Sequence, residues 1–501
     1  MPYIIGLHSA ASAFLSAGFA TQFTVAVVIC LVIVLATSSL QGDGEQAPKS
    51  LPGLHFFSIF PFFRQRHDFL KWGFDITGES IFQFQLMSNT VIVVSGASAR
   101  QAFFYAKGFD LTEGFKILSG AIPMVRGVTS GLQTKRISTI HKRLAAVQKN
   151  ASLSQLIPVI LEDSRRILAS YEASGTFDPF DKIYELIFQT TVRSLSSSEI
   201  SDDAALVARL KTLYDRLDTG TTPATVLIPW FPTPAMIKKL WATKEIYDII
   251  VRAINAREQS GISRNDTLQM LVESGDERLT IVGFIMGLLI AGARATGTTA
   301  SWVITFLGGH ADWRAKAKSE VEALLTAHSD PTAASLSCRL AEIPLEIWES
   351  QTPVLDAIIR ETLRIAQPHT AMRRNLGPDV YINEKLIPSG SYVVYPFSDV
   401  HLDPEIYPDP WRFDPSREAS KVDLAYVGWG VGKTTCLGTR LAKVELKLTT
   451  ALFILGFDHE IVDKTGAAPE ALPRPNWNDI LLCRPPPGSC YVKYKRTDLA
   501  L

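Results

Sequence analysis

Cysteine is scarce in this chain of 501 residues, and the five cysteines are widely scattered. An odd, sparse set argues against a disulfide framework of the kind that small secreted proteins use. The sequence also lacks any pair of cysteines separated by two residues, which argues against a structural zinc site. Each cysteine must therefore be judged by its own surroundings; the five are Cys30, Cys338, Cys436, Cys483 and Cys490.

Neither sign of charge is in excess, because 50 lysines and arginines balance 50 aspartates and glutamates. A neutral chain gives no electrostatic reason to expect nucleic acid as a partner. Apolar residues make up 47% of the chain and charged residues 20%, which is typical of a protein with a large buried core. No stretch resembles a long linker, so we expect one large folded unit over residues 43–501.

Asp, Glu, Lys and Arg are absent from residues 1–42, where a mostly apolar stretch runs from about Phe14 to Ser38. That length reaches the roughly 20 residues that a membrane-spanning helix needs. A cleaved signal peptide is the alternative, but it typically has a basic start and a shorter apolar region. We therefore expect residues 1–42 to form a single membrane anchor. Lysine and arginine follow this segment and do not precede it, so the folded unit is expected on the cytosolic side.

Residues 227–241 form a second apolar segment, in which three prolines precede a helical pattern with two lysines. Trp230 and Trp241 are among its large side chains. Such a segment is able to rest on a bilayer. The alternative is an ordinary loop and helix start packed against the core, and the sequence favours neither interpretation.

Helical periodicity dominates the rest of the chain, with apolar positions three and four residues apart. Short alternating segments around a Pro-Ser-Gly turn predict strands after the last of these helices and again near the C-terminus. The expected fold is therefore mainly α with a minor β part. The helical segments are residues 137–170, 236–258, 312–325 and 354–365, and the clearest strand region is residues 380–397.

A long helix is predicted over Leu279–Leu307, and small residues recur along it at intervals of four. They are Gly287, Ala291, Ala295 and Thr299. Residues four apart lie on one face of a helix, so these positions form a strip with almost no side chain. The strip either lets a flat, bulky group approach the backbone or serves close packing against another helix.

Residues 428–441 read GWGVGKTTCLGTRL, and three glycines at alternate positions favour a loop that lies close to a bound group. Cys436 follows the glycines, and a strong helical pattern begins just after Gly438. The dipole and free N–H groups at a helix N-terminus stabilise a thiolate. A thiolate is a good ligand for iron. The alternative is a buried, inert cysteine.

The substring GVGKTT within the same loop also suggests a phosphate-binding P-loop. That motif requires a glycine five residues before Gly432, where the chain has Val427. The preceding residues are also a poor buried strand, so a nucleotide hydrolase is not favoured.

The string WGVGKTTCLG resembles the haem-binding signature of the cytochrome P450 family, Phe-x-x-Gly-x-x-x-Cys-x-Gly. Trp429 stands where the family usually has Phe, whereas Gly432, Cys436 and Gly438 match. A cysteine thiolate is the haem ligand in this family.

Two further motifs support the resemblance. Glu361 and Arg364 match the family's E-x-x-R helix, and residues three apart on a helix are able to pair. Arg412, in the string PDPWRF, resembles the arginine of the P-E-R-F motif, which completes a structural triad with that pair in the family. Residues 103–123 are similar to fungal members.

The resemblance implies the cytochrome P450 fold, with Cys436 as proximal ligand to the iron of a haem that lies beneath the long helix. Haem propionates need cationic partners, and the candidates are Arg373, Arg374 and Lys433, with Lys142 and Arg143 as weaker ones. The implied reaction inserts one oxygen atom from O₂ into a lipophilic small molecule such as a terpenoid, sterol or fatty acid. Electrons would come from a partner NADPH–cytochrome P450 reductase at the endoplasmic reticulum membrane, and we expect a role in secondary metabolism.

The long helix departs from the family pattern at one functional point. The family usually places an acid and an alcohol next to each other there, to deliver protons to bound oxygen, but this chain has Arg294 and Ala295. Thr296 is one residue further on, about 100° around the helix, whereas Thr299 is one turn beyond Ala295 and better aimed. These two threonines are the candidate catalytic residues. The departure also leaves open an isomerase or dehydratase that needs no external proton relay, and a non-enzymatic haem carrier or sensor.

Overall fold

The computed structural model describes residues 46–52, 58–114, 134–228, 230–367 and 369–497, and the anchor predicted over residues 1–42 lies outside them. Helices make up most of this part of the chain. In order they are α1 (Ile59–Arg64), α2 (Arg66–Thr77), α3 (Ala97–Tyr105), α4 (Thr134–Val147), α5 (Asn150–Ala169), α6 (Pro179–Leu195), α7 (Ser198–Ser201), α8 (Ala204–Thr219), α9 (Pro223–Leu227), α10 (Pro234–Ser260), α11 (Thr267–Glu273), α12 (Arg278–Gly309), α13 (Ala311–His328), α14 (Leu336–Glu342), α15 (Leu345–Ser350), α16 (Pro353–Ile365), α17 (Ser398–His401) and α18 (Thr439–Gly456).

The strands form three small sheets. A six-stranded sheet has the order β1-β2-β3-β9-β6-β4, a three-stranded sheet has the order β10-β11-β5, and β7 pairs with β8. Their bounds are β1 (Lys49–Ser50), β2 (Ile81–Leu86), β3 (Asn89–Val94), β4 (Phe109–Asp110), β5 (Ser174–Phe177), β6 (Thr370–Asn375), β7 (Val380–Ile382), β8 (Lys385–Ile387), β9 (Tyr392–Pro396), β10 (Phe457–Val462) and β11 (Tyr491–Arg496). The mainly α fold with a minor β part is confirmed.

The helices follow the periodicity of the sequence closely, with one break. The pattern over residues 137–170 is divided between α4 and α5, because Lys149 takes an extended conformation (φ −65°, ψ 150°) as the N-cap of α5. The predicted long helix is α12, which begins one residue earlier and ends two residues later than expected. Periodicity indicates which face is buried, but it does not mark a turn of two residues.

The long helix α12 runs through the largest hydrophobic cluster of the described residues. Trp302, Val303 and Leu307 have no exposed surface. Among the described residues, α12 is also the one helix that is long and apolar enough to cross a membrane. Its place in the core accounts for that composition, since a helix enclosed by protein is apolar on nearly every side.

Candidate functional site

The loop before α18 is shaped by glycines that no other residue replaces without strain. Gly430 (φ 71°) and Gly432 (φ 58°) take left-handed conformations. A Cβ on Gly430 would lie 2.4 Å from the carbonyl oxygen of Thr434. After the short 3₁₀ turn Gly432–Thr434, the Cys436 N–H donates to the Trp429 carbonyl at 2.6 Å. The backbone of Cys436 is therefore fixed by the turn itself.

Gly438 has a different role from the other glycines. It is the N-cap of α18 and has an ordinary φ of −93°. None of the described residues has a heavy atom within 4 Å of the Cβ that a larger residue would place there. The backbone thus has no need of glycine at this position, and its small size leaves open space two residues from Cys436.

The cysteines of the described chain fall into two classes. Cys436 and Cys338 are exposed, whereas Cys483 and Cys490 are buried. Burial raises the pKa of the Cys490 thiol to about 12 and also raises that of Cys483. Because a metal ligand must be a thiolate, burial of this kind disfavours both as ligands. Of the two exposed cysteines, Cys436 is the one held in a glycine turn before a long helix.

The start of α18 is tied to the end of α4 by side chains that the sequence did not single out. The Gln148 side chain donates to the Leu437 carbonyl at 2.7 Å and accepts from the Leu441 N–H at 3.1 Å. Arg440 donates to the Gln148 carbonyl at 2.7 Å and pairs with Glu349. These contacts join segments far apart in sequence, so no spacing signal could have predicted them.

The segment that leads into β6 runs along the cysteine loop and is bonded to it at both ends. Gln367 donates to the Gly428 carbonyl at 3.0 Å, and Arg373 donates to the Thr434 hydroxyl at 3.0 Å. Arg373 is buried, and burial lowers its pKa to about 10. The structure therefore brings a buried cation to the same loop as Cys436.

The other predicted cations do not share this position. Arg374 points to the opposite face of β6, as strand geometry requires, and donates to the Gly390 carbonyl at 3.2 Å. Lys433 lies on the loop but is exposed, as is Lys142. Arg143 is held by Asp276 at 2.6 Å. Among these candidates, Arg373 has the most favourable placement for an acidic group beside Cys436.

Glu361 and Arg364 form the buried pair that the E-x-x-R spacing predicts. Two parallel hydrogen bonds of 2.8 Å join them. Arg364 also donates to the His401 carbonyl at 2.7 Å, and the His401 ring accepts from the Val427 N–H at 3.0 Å. Burial, followed by the charge of Arg364, lowers the pKa of His401 to about 3, so the ring is neutral and able to accept. The pair thus supports the first residues of the cysteine loop.

The prediction that Arg412 is the third member of the triad is wrong. Its side chain is 61% exposed and pairs with Asp414 at 2.9 Å. Arg417 instead donates to Glu361 at 3.0 Å, and Arg412 contributes only its backbone carbonyl, which accepts from Arg417 at 3.1 Å. The signal was present, because Pro415-Ser416-Arg417 also resembles the P-E-R motif, with serine in place of glutamate.

The small-residue strip of α12 does not serve close helix packing. Ala291 and Ala295 are exposed, and no described residue lies within 4 Å of a Cβ added to Gly287. Close packing occurs instead on the other side, where a Cβ on Gly292 would lie 3.3 Å from Thr191 and one on Gly297 would lie 2.7 Å from Tyr184. The strip therefore borders open space, as a surface for a flat group requires.

The polar residues of α12 are arranged differently from the expectation. Thr296 and Thr299 are both buried, and the Thr299 hydroxyl donates to the Ala295 carbonyl at 2.8 Å. Arg294 forms an ion pair with Asp218 of α8. No local pattern in the sequence singles out Asp218, because the contact joins two helices that are distant along the chain.

The described residues fit a haem with a thiolate ligand in the chemistry of their side chains. An exposed sulfur lies on a loop that is rigid by its glycines, a buried arginine reaches the same loop, and α12, which packs against α18, has an open strip of small residues. These supply a soft ligand, a partner for a carboxylate and an apolar surface.

Comparisons with known proteins agree with this description. Residues 48–490 match the family described as Cytochrome P450. The cytochrome P450 monooxygenase AacuE of Aspergillus aculeatus is 29% identical over 418 residues, which cover 79% of this chain and 83% of that protein. Sterol 14-demethylase of Arabidopsis thaliana is 25% identical over 463 residues, which cover 88% of each chain.

A solved structure shares the fold. Cyanobacterial CYP120A1 with bound retinoic acid superimposes with a TM-score of 0.72 at 22% identity, and the match covers 91% of this chain and 100% of that one. The residues that match the family include the long helix, the Glu361–Arg364 pair and the cysteine loop. This chain belongs to the cytochrome P450 family and is an oxidoreductase of the monooxygenase type.

Proposed function

We propose that the protein is a haem-thiolate monooxygenase that inserts one oxygen atom from O₂ into a lipophilic small molecule, with Cys436 as the iron ligand. One observation carries the assignment of the ligand. Cys436 is exposed on a loop whose backbone is fixed by two left-handed glycines and to which the buried Arg373 donates. A thiolate pushes electron density towards a haem iron and thereby favours cleavage of the O–O bond.

The residues around Cys436 hold and orient the cofactor in this proposal. Arg373 binds a propionate in this proposal, because its buried guanidinium donates to neutral acceptors among the described residues, the Met372 carbonyl at 2.8 Å and the Thr434 hydroxyl at 3.0 Å. Gly438 and the strip from Gly287 to Ala295 provide surfaces without bulky side chains. Electrons come from a partner NADPH–cytochrome P450 reductase, since the sequence has no flavin or nicotinamide fingerprint.

A lipophilic substrate and a membrane location are supported by an exposed patch that we call the aromatic patch. It consists of Phe60, Trp230, Phe231 and Trp241, with the aliphatic Ile237 beside them. Trp230 is 80% exposed and Trp241 is 76% exposed. Phe60 lies on α1, which contacts α9, the helix that ends shortly before Trp230. Tryptophans favour the interfacial region of a bilayer. Together with the predicted anchor over residues 1–42, the patch supports attachment to the cytosolic face of the endoplasmic reticulum.

The class of substrate is supported by the relatives. The Arabidopsis relative is named for a sterol, and the cyanobacterial structure contains retinoic acid, so both act on or bind lipophilic compounds. Lipophilic molecules partition into the bilayer on which the aromatic patch would rest. We therefore propose a terpenoid, sterol or fatty acid as substrate, in secondary metabolism.

An isomerase or dehydratase of the same family is the second candidate, and the cation at position 294 favours it. Arg294 and Ala295 replace the residues that usually deliver protons to oxygen. Such an enzyme would turn over its substrate without a reductase. Reductase-dependent oxidation of NADPH distinguishes the two, because only the monooxygenase consumes electrons.

The ligand is tested by replacing single cysteines and recording the absorbance of the reduced, CO-bound protein. Cys436→Ser should lose the band that is characteristic of thiolate ligation. Cys490→Ser is the matched control, since it removes a buried cysteine from the same half of the chain, and it should keep the band. A thiolate band that persists in Cys436→Ser would overturn the proposal.

A further inference from the structure

The ion pair between Arg294 and Asp218 places a carboxylate beside α12, where the sequence of that helix has none. The side chains are 18% and 17% exposed, so the pair is mostly enclosed yet not sealed from water. Arg294 immediately precedes Ala295, which is exposed on the strip. The Asp218 carboxylate thus contacts the residue that precedes Ala295, about 100° around the helix from the strip.

The pair is not needed to fasten α8 to α12. The Tyr214 hydroxyl, one turn before Asp218, already donates to the Met286 carbonyl at 3.2 Å. Three leucines of α8 are also buried in the core, namely Leu210, Leu213 and Leu217. A mostly buried ion pair contributes little net stability compared with apolar packing. Its presence beside the strip therefore calls for another role.

A second observation marks the same side of α12 as polar. The Nε of Arg294 and the hydroxyl of Thr298 are buried and have no hydrogen-bond partner among the described residues. Residues four apart lie on one side of a helix, so both groups border the same space. Buried polar atoms without protein partners are commonly bridged by water. Arg294 and Thr298 thus each have a polar atom that a bridging water would satisfy.

Other titratable groups surround the pair without replacing it. Tyr184 of α6, Asp215 of α8 and Asp479 of the loop before β11 all act to raise the pKa of Arg294, against the larger lowering effect of burial. Asp215 is already paired with Lys211 at 3.1 Å, and its side chain is 49% exposed. Asp479 accepts hydrogen bonds from backbone N–H groups of its own loop. Of the three carboxylates near Arg294, Asp218 is the one that forms an ion pair with it.

We propose that Asp218, supplied by α8 and positioned by Arg294, relays protons from solvent to oxygen at the candidate site. The inference rests on the proposed monooxygenase function and deepens it. For each O₂ consumed, two electrons come from the reductase and two protons from water; one oxygen atom enters the product and the other leaves as water. Asp218 accepts a proton at Oδ from solvent, passes it to a bridging water and returns to its ionised form, so it is not consumed.

The first experiment tests whether the Arg294–Asp218 pair lies near the position where CO binds. It uses the CO-bound protein and requires no turnover. In the reduced, CO-bound protein, a positive field near CO lowers its stretching frequency and a negative field raises it. Asp218→Asn leaves Arg294 unbalanced and should lower the frequency, whereas Arg294→Met should raise it. Asp215→Asn, one turn away on the same helix, is the matched control and should leave the band in place. Unshifted bands in both test variants would overturn the inference.

The relay itself is tested by oxidation of NADPH with reductase and no added substrate. Reduced O₂ leaves either as hydrogen peroxide or, after further protonation and reduction, as water. Asp218→Asn should raise the fraction of electrons recovered as peroxide by at least about two-fold, because a lost general acid slows the branch to water. Asp218→Glu should restore the wild-type fraction, which a purely structural role would not predict.

A double variant with the two charges exchanged serves as a control for a folding defect. Arg294→Asp combined with Asp218→Arg keeps the ion pair and moves the carboxylate onto α12, so it should retain a low peroxide fraction. An unchanged peroxide fraction in Asp218→Asn, or an equal rise in Asp215→Asn, would overturn the relay. Failure of the wild-type protein to form a thiolate-ligated CO complex would instead contradict the proposed function.

Discussion

Two buried glutamates, one on α16 and one on α18, accept hydrogen bonds from different kinds of donor. Glu361 of α16 is 5% exposed and accepts hydrogen bonds from Arg364, Arg417 and the Asp414 N–H. Glu445 of α18 is 2% exposed and, among the described residues, accepts only from the hydroxyls of Thr190 and Thr191, the latter at 3.0 Å. One carboxyl is surrounded by cations, and the other has neutral donors alone.

The two glutamates differ in what their hydrogen-bond donors do to the buried carboxyl. A buried carboxylate with two arginine partners fixes the segments that provide them, here α16 and the residues before the cysteine loop. A buried carboxyl with neutral donors takes up a proton instead. Burial raises the pKa of Glu445 to about 7, against the smaller lowering effect of the two threonine hydroxyls. The carboxyl of Glu445 therefore titrates near neutrality, and its contribution to stability changes with pH there.

The largest effect on stability is expected from breaking the buried pair of Glu361 and Arg364. Arg364→Ala should lower the free energy of unfolding by about 3–5 kcal/mol, because it leaves a buried carboxylate with only part of its compensation. Chemical denaturation measures the change. Arg360→Ala, one turn earlier on the same helix and exposed, is the control and should change the free energy by less than about 1 kcal/mol. Equal losses in both variants would show that the pair is not a structural anchor.

A pH-dependent effect is expected from Glu445. Its pKa is raised on folding, so its stabilising contribution is complete below the unfolded pKa near 4.5 and is lost as the pH rises through about 7. The free energy of unfolding should therefore fall by up to about 3 kcal/mol between pH 4.5 and pH 8 on this account. Glu445→Gln should remove that decline, whereas Glu460→Gln, exposed on β10, should keep it. Parallel pH profiles for wild type and Glu445→Gln would contradict the interpretation.

The smallest effect separates the two candidate triad arginines. Arg417→Ala should cost about 1.5–3 kcal/mol, the usual range for hydrogen bonds to a charged group. Arg412→Ala should cost no more than about 1 kcal/mol, since it removes an exposed ion pair. Thermal and chemical denaturation of the two variants give the comparison directly. A larger loss for Arg412→Ala would restore the original motif assignment.

Local signals in the sequence were sufficient for much of the fold. The long helix has an unbroken run of apolar and small residues, and its observed bounds differ from the predicted ones by no more than two residues. The Glu361–Arg364 pair follows from helix geometry alone. Such features depend on residues that are neighbours along the chain, so the sequence records them directly.

Contacts between distant segments were not readable in the same way. Two arginines five residues apart both fit a proline-containing motif, and only the path of the chain shows that Arg417 reaches Glu361. The choice between Arg373 and Arg374 required the pairing of β6 with β9. Asp218 and Gln148 act on helices that they reach only in the folded protein. The predicted anchor remains a prediction.

The two adjacent arginines of β6 have a consequence for tolerance to sequence change. A strand alternates its faces with a period of two, so a shift of one residue exchanges the side chains that face each way. With arginine at both 373 and 374, a one-residue deletion between Gln367 and Arg373 would still present a guanidinium to the cysteine loop. The adjacent arginines would thus preserve this one contact, although the same shift would move Asn375 away from the backbone carbonyls that its side chain reaches.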